Sequence, residues 1–447
     1  MNTFVLTIFD LLFTPFLLLF IFFVGNYIRK KNEQQQPLYK WYTRGLIVKC
    51  FGAIAVCLIY QFYYKDGDTV NYFMSSQALV KLFGKNPTVF FDIMKGNTTW
   101  ENYSVFDNKT GYCYMMFDKQ AMVVVRLIVP LIMVSFQSFM VSSILLAWIC
   151  YTGIWRLFLL FNEEFPALEK QFAISILFIP SVVFWGSGLL KDTITLSAVG
   201  WYTYYFYVFF VKKNYKIKYI FFIFISSLLL VLIKPYILFA LLPGSVIWLA
   251  NQRLVNVKSK FLRLFLAPFF IAIGVGVGFF ILTKLGDTLG DYSVDKVLTK
   301  AVISNKDQKS EYYGGNSFDI GEFDASAGSI ASKAHLAIAA TLFRPTLLDA
   351  RNPVMLLSAL ENTYIMVLTL LLLIRLKFFG FFTLIGEKPL LLFSVIFSLF
   401  FAFSVGIATS NFGSLVRLKI PCIPFFVSSL FVLRYLYEQK FKKKLGV

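Results

Sequence analysis

FVLTIFDLLFTPFLLLFIFFV, from Phe4 to Val24, decides the fold. It is an apolar run followed by Arg29, Lys30 and Lys31, with no basic residue before it. At about 1.5 Å per residue, a helix of roughly 20 residues crosses a hydrocarbon core about 30 Å thick. A cleavable signal peptide carries its positive charge ahead of its apolar core. The opposite order here predicts a retained first helix with its amino end outside.

Similar runs recur at 45–62, 137–161, 171–190, 193–211, 218–233, 235–250, 262–283, 353–374, 389–408 and 420–437, giving about eleven spans with the first. Composition agrees: 58% of the 447 residues are hydrophobic and 19% aromatic, and the mean hydropathy is +0.70. These values exceed those of an ordinary soluble domain. A transmembrane barrel would show short alternating strands instead. The expected fold is therefore all-α, a polytopic transmembrane helix bundle forming a single membrane domain over 1–447. No internal repeat stands out of the kind that marks inverted transporter halves.

The net charge of +19 does not point to nucleic acid, because the bases sit in short loops between apolar runs. Lys212, Lys213, Lys216 and Lys218, then Arg253, Lys258, Lys260 and Arg263, then Arg375, Lys377 and Lys388, and finally Lys440, Lys442, Lys443 and Lys444 all fall on one side. Under the positive-inside rule that side is cytoplasmic, so the carboxyl end is expected inside a multi-pass cytoplasmic-membrane protein. The loop 162–170, with Glu163, Glu164 and Glu169, runs against the trend, but acids contribute little to the rule. Two larger extracytoplasmic loops follow, 63–120 and 284–352. A short apolar piece, Met122 to Val134, carries Arg126 and Pro130 and reads as an interfacial helix. Of five cysteines only Cys113 lies in a large polar loop, so no disulfide framework is visible, although a Cys113–Cys422 bridge stays open.

Charged clusters mark the outer tips of the apolar segments: Asp66-Gly67-Asp68, Lys191-Asp192, Lys234-Pro235-Tyr236, Arg344-Pro345 and Arg417-Leu418-Lys419. Carboxylates such as Asp66 and Asp68 at a water–lipid boundary can take a proton from a hydroxyl or hold a divalent ion; alone, they are as easily the solvated start of a loop. Lys191-Asp192 closes a Gly- and Ser-rich connection; the helix starting near the catalytic candidate Asp192 offers free N–H groups suited to an anion, and Asp192 reads equally as the cap of that helix. Lys234, Arg344 and Arg417 stand near prolines that fix their backbones, and several cations at one level suit a phosphate or diphosphate. Each one alone reads as well as a side chain reaching for lipid headgroups. Glu361 is an acid within a span, expected to pair with Arg344, Arg351 or Lys234 or to hold one of them in a site. Tyr72, Tyr236 and Asn411 complete the substrate-binding candidates. His335, the one histidine, reads as structural and excludes a histidine metal centre. No nucleotide-hydrolase phosphate loop is present. No cofactor is compelled, and a divalent metal stays open.

At Asp66-Gly67-Asp68 with Tyr72, at the Pro-Ser…Phe-Trp…Ser-Gly…Lys-Asp run over 180–192, at Arg344-Pro345 and at Asn411-Phe412-Gly413…Arg417…Pro421…Pro424, the chain resembles bacterial polysaccharide (O-antigen type) polymerases and C-type glycosyltransferases. The resemblance implies an enzyme that uses polyprenyl-phosphate- or diphosphate-linked sugars on the outer side of the membrane, with an acid of the first outer loop as base. It implies a lipid-linked sugar donor, a glycan acceptor and membrane lipids as partners, and no nucleic acid; it leaves the oligomeric state open. This chain departs in carrying a span before that loop and in lacking an obvious His or a paired Asp-Glu signature. Asp66 or Asp68 would then activate the acceptor hydroxyl, and Lys191, Lys234, Arg344 and Arg417 would neutralise the departing phosphate. The rival expectations are a transporter or flippase for a lipid-linked sugar and a noncatalytic envelope scaffold.

Overall fold

Helices supply the regular structure of the computed structural model, which describes residues 4–254, 294–309, 316–350 and 353–444. Among these residues there is one isolated antiparallel bridge, Ser317 with Asn411, and no strand. The expected span at 262–283, the Tyr312-Tyr313-Gly314-Gly315 stretch and Arg351 lie outside the described residues.

Six helices among the described residues are long and apolar enough to cross a membrane: Ile8–Glu33, Pro37–Tyr64, Phe139–Glu164, Lys191–Val211, Met355–Lys377 and Pro389–Ala408. A seventh crossing is made if Phe412–Leu418 and Ile423–Lys440, bent by 70°, count as one. The described residues are thus all-helical in their regular structure, with the character of a multi-pass membrane protein.

Several expected spans take another form. The run 171–190 breaks into the helix Glu169–Phe172, a wide turn at Ala173–Leu177, the short helix Pro180–Trp185 and an irregular turn up to Lys191. Pro180 lacks an N–H and disfavours helix at the residue before it, while Gly186 and Gly188 loosen the far side. Ile217–Ile233 is helical but only 17 residues long. The expected loop 63–120 is largely helix, with Asp68–Lys85 and Pro87–Lys95. The short apolar piece becomes Lys119–Val134, which buries Val124, Val125, Ile128 and Ile132. It packs on the Asp68–Lys85 helix, where Ser76 donates to the Val125 carbonyl at 3.2 Å. All five cysteines are buried free thiols.

Chain contacts divide into two compact units: Met1–Leu159 with Val183–Tyr204 and Phe221–Lys234, and Leu160–Val182 with Tyr205–Ile220 and Pro235–Val447. In the first unit, the opening helix leaves Leu11, Leu12, Phe16, Leu19, Phe20 and Phe23 exposed. In the second, Met355–Lys377 leaves Leu357, Leu360, Leu370 and Ile374 exposed. Apolar faces of this kind suit lipid and would be costly in water.

The opening helix also holds a fully buried acid, Asp10. Its Oδ2 accepts from the Thr7 N–H and hydroxyl, both at 2.7 Å, and closes a capping box. Its Oδ1 accepts from the Ser138 hydroxyl and, at 2.8 Å, from the Met140 N–H. One carboxylate therefore satisfies the N-termini of two helices, Ile8–Glu33 and Phe139–Glu164, each with N–H groups that lack an intrahelical acceptor.

Candidate functional site

Helix ends of the first unit bring four of the expected residues together. The second span ends in a wide turn, Ile59–Tyr64, and Lys65 then takes a left-handed φ of 61°. Gly67 follows at φ 129°, where a Cβ would meet a Tyr60 ring carbon at 2.8 Å, so only glycine suits the corner. Asp66 is exposed and accepts from the Gly67 N–H at 2.6 Å. Asp68 stands half-buried in the first turn of the next helix.

The helix Lys191–Phe206 starts two residues before the expected 193, so Asp192 stands inside its first turn and not at the cap position. Asp192 is fully buried, and its Oδ1 accepts from the Lys234 ammonium at 2.5 Å; Lys234, just past the end of the Ile217–Ile233 helix, is itself 6% exposed. Two buried opposite charges at that distance hold each other, so neither serves as a solvent-facing ligand in this arrangement. Lys191 reaches instead to Asp118, at 3.4 Å. The Lys191 side chain is 16% exposed and that of Asp118 is 53% exposed. Asp68 and Lys234 also act electrostatically on Lys191. The result is two neighbouring ion pairs, Lys191 with Asp118 and Lys234 with Asp192, with Asp68 near enough to Lys191 to bear on its charge.

Asp118 is not among the residues that the charged clusters of the sequence single out. It is the N-cap of Lys119–Val134, its Oδ1 accepting from the Ala121 N–H at 2.8 Å. A polar Asp directly before a short apolar run is a helix-start signal, and that signal could have found it. Before it stands a packed aromatic group: the Phe117 and Trp100 ring centroids are 4.2 Å apart, and Tyr103 lies 5.5 Å from Phe117. Nearby, Asp107 accepts from the Thr110 N–H at 3.0 Å and from Lys85 at 2.9 Å, and these bonds hold its carboxyl below the usual carboxylate range. Tyr72 is buried, 2% exposed, within the Asp68–Lys85 helix and so belongs to the packing of this unit.

Tyr236, Arg344, Glu361, Asn411 and Arg417 belong to the second unit. Arg344 meets Asp349, not Glu361: its Nη2 donates at 2.6 Å and its Nε at 3.3 Å. The guanidinium also lies 5.7 Å from the Phe318 ring centroid and 5.3 Å from that of Phe412. Those rings are set side by side because Phe318 N–H donates to the Ser410 carbonyl and Phe412 N–H to the Asn316 carbonyl. Burial alone would raise the Asp349 carboxyl, but bonds from Arg344 and from the Thr346 N–H and hydroxyl bring it below its usual 3.8.

Glu361 differs from the expected pairing as well. Its two oxygens accept from the Ser181 N–H at 2.9 Å and the Ser181 hydroxyl at 2.5 Å, at the start of Pro180–Trp185. A helix start offers unpaired N–H groups, and a carboxylate answers them without a cation. Lys419 is fully buried and donates to the Asn362 side-chain oxygen at 2.7 Å and to the Arg344 carbonyl at 3.0 Å. Asn362 in turn donates to the Pro345 carbonyl at 3.1 Å. Asn411 caps Phe412–Leu418 through the Ser414 N–H, Arg417 is half-buried in the last turn of that helix, and Tyr236 stacks on Phe401 at 5.8 Å.

Among the described residues, no group of three or more His, Cys, Asp or Glu side chains is arranged to hold a metal ion. Chemically, the first unit offers an exposed carboxylate beside a partly exposed ammonium, and the second a guanidinium locked in place with part of its surface open. Comparison with protein-family models, with curated proteins and with solved structures gave no match.

Proposed function

We propose that this chain transfers or polymerises sugar units from a polyprenyl-phosphate or -diphosphate carrier, at the outer face of the cytoplasmic membrane, in cell-surface polysaccharide synthesis. The observation that supports this reading is the Asp68–Asp118–Lys191 group at the ends of apolar helices, with Asp118 exposed and Lys191 beside it. Asp68 or Asp118 takes the proton of an acceptor hydroxyl. Lys191, the more accessible of the two ammoniums, meets the departing phosphate. Lys234 and Asp192 form the fixed frame behind them, and Arg344 is the candidate phosphate contact of the second unit. The charge bias of the short loops supports an orientation with the amino end outside, the carboxyl end in the cytoplasm and these helix ends on the outer side.

Removal of a general base typically costs about 10²- to 10⁴-fold in rate. Asp118→Asn and Asp68→Asn, made singly and together in protein that reaches the membrane at normal levels, should therefore cut surface glycan sharply. Lys191→Met should do the same. Full-length polymer from the triple variant at wild-type yield overturns the reading.

One observation favours transport instead. Lys49 is a buried ammonium well inside the second span, and charges at such depth are typical of translocation paths. Purified protein that turns over a lipid-linked sugar in detergent, where nothing can be moved across a bilayer, decides for the enzyme.

A further inference from the structure

Lys49 sits in the Tyr42–Leu58 helix and is 5% exposed. Its ammonium donates to the carbonyl of Gly186, and so meets a neutral acceptor and not a carboxylate. Gly186 opens the turn that delivers Lys191 and Asp192. The same face of the helix, at intervals of three and four residues, carries Gly52 and Val56. A Cβ on Gly52 would meet the Val183 carbonyl oxygen at 2.5 Å and the Ser187 hydroxyl at 2.8 Å. A Cβ on Gly188 would meet Val56 at 2.5 Å. At Gly52 the two backbones thus lie in direct contact, and at Gly188 the turn lies against the Val56 side chain; each glycine permits its approach.

The turn is fastened on its other side by its own residues. Ser187 donates its hydroxyl to the Val183 carbonyl, Thr193 donates to the Gly188 carbonyl at 2.7 Å, and Leu190 N–H donates to the same carbonyl at 2.8 Å. These bonds fix the shape of the turn. They do not fix its place against the second span. The Lys49–Gly186 bond does, and it is charge-assisted in a dry setting where a lone ammonium would be costly.

We infer that Lys49 is a positioning residue: through the Gly186 carbonyl it sets the height and angle at which Lys191 and Asp192 enter the cluster with Asp118, Asp68 and Lys234. This deepens the proposed function, on which its catalytic meaning rests, but the geometry can be read without any sugar. Close contact at Gly52 and apolar contact at Val56 hold the two segments against each other, but neither is a directional bond between them. A hydrogen bond supplies the missing register.

The test is acylation of lysines in the full-length protein in detergent, read peptide by peptide, with thermal unfolding as the check on folding. Lys85, paired with Asp107 in the same unit, serves as internal standard. Lys49→Met should raise the Lys191 rate several-fold relative to Lys85, because the Lys191–Asp118 pair loosens. Gly52→Ala, which pushes on the same turn from another residue, should give the same signature. If Lys49→Met does not fold, Lys49→Gln takes its place. An unchanged Lys191:Lys85 ratio in a folded Lys49 variant overturns the inference. Wild-type protein that turns over no lipid-linked sugar, alongside a raised Lys191 rate in the variant, would sink the proposed function and leave the positioning role standing.

Discussion

The Asp192–Lys234 region and the Glu361–Lys419 region handle buried charge by opposite means. In the first, Asp192 and Lys234 meet as a pair, and Lys191 turns to Asp118. In the second, Glu361 is met by a serine N–H and hydroxyl, and Lys419 by a carbonyl and an amide oxygen. A paired charge is secure only while its partner remains, whereas a charge spread over neutral dipoles leaves nothing ionised behind when it is removed. The first arrangement is therefore brittle to single substitutions and the second is forgiving.

The largest test of this contrast is Lys234→Met. It leaves the Asp192 carboxylate buried without its ammonium and should cost about 3 to 5 kcal/mol in unfolding free energy. Adding Asp192→Leu should recover most of the loss, since a well-packed apolar pair often replaces a buried ion pair without penalty. If the double variant is as unstable as the single one, the pair is not what makes this region brittle. Lys419→Met should cost less, about 1 to 3 kcal/mol, because it strands only two neutral acceptors. A cost equal to that of Lys234→Met would show that Lys419 and nearby Glu361 behave as an ion pair, and the contrast would break. Glu361→Gln keeps one acceptor for Ser181 and loses the other, so a loss of about 1 kcal/mol in unfolding free energy is expected, and denaturant titration of all these variants measures the series.

The smallest effect sharpens the contrast through pH. Asp349 is lowered in the folded protein, so its bonds contribute stability above the unfolded value of 3.8, and that contribution disappears as pH falls through the folded value. The pair is partly open to solvent, with the Arg344 side chain 36% exposed, which limits the contribution to about 0.5 to 1 kcal/mol. Asp349→Asn should lower the melting temperature at about pH 6 and have no effect once the acid is protonated in both states. An equal difference at all pH values would mean that packing and not charge accounts for it.

Much of the helical architecture is legible in the sequence, and the reason is physical. A run such as Phe4 to Val24 has one stable form in a bilayer, because helices satisfy their backbone groups internally. The start of the Lys191–Phe206 helix is legible to within two residues, since Asp192 and the glycines before it are ordinary punctuation. Breaks are harder: 171–190 reads as apolar throughout, and Pro180 decides its form. Partner choice is hardest of all. Asp118 and Lys191 lie 73 residues apart and Asp192 and Lys234 lie 42 apart, and no local pattern encodes either match. Asp10 and Lys49 are hidden for the same reason, as single charges inside apolar runs that a hydropathy average smooths away.

The double cap made by Asp10 bears on how the protein is assembled. Ser138 and Met140 leave the ribosome 128 and 130 residues after the acid they satisfy. Until they arrive, Thr7 answers one oxygen of that carboxylate and the other has no partner from the later helix, a charge that hydrocarbon rejects. The expected consequence is a shallow early resting place for the leading segment during synthesis, with full depth reached once the later segment packs beside it.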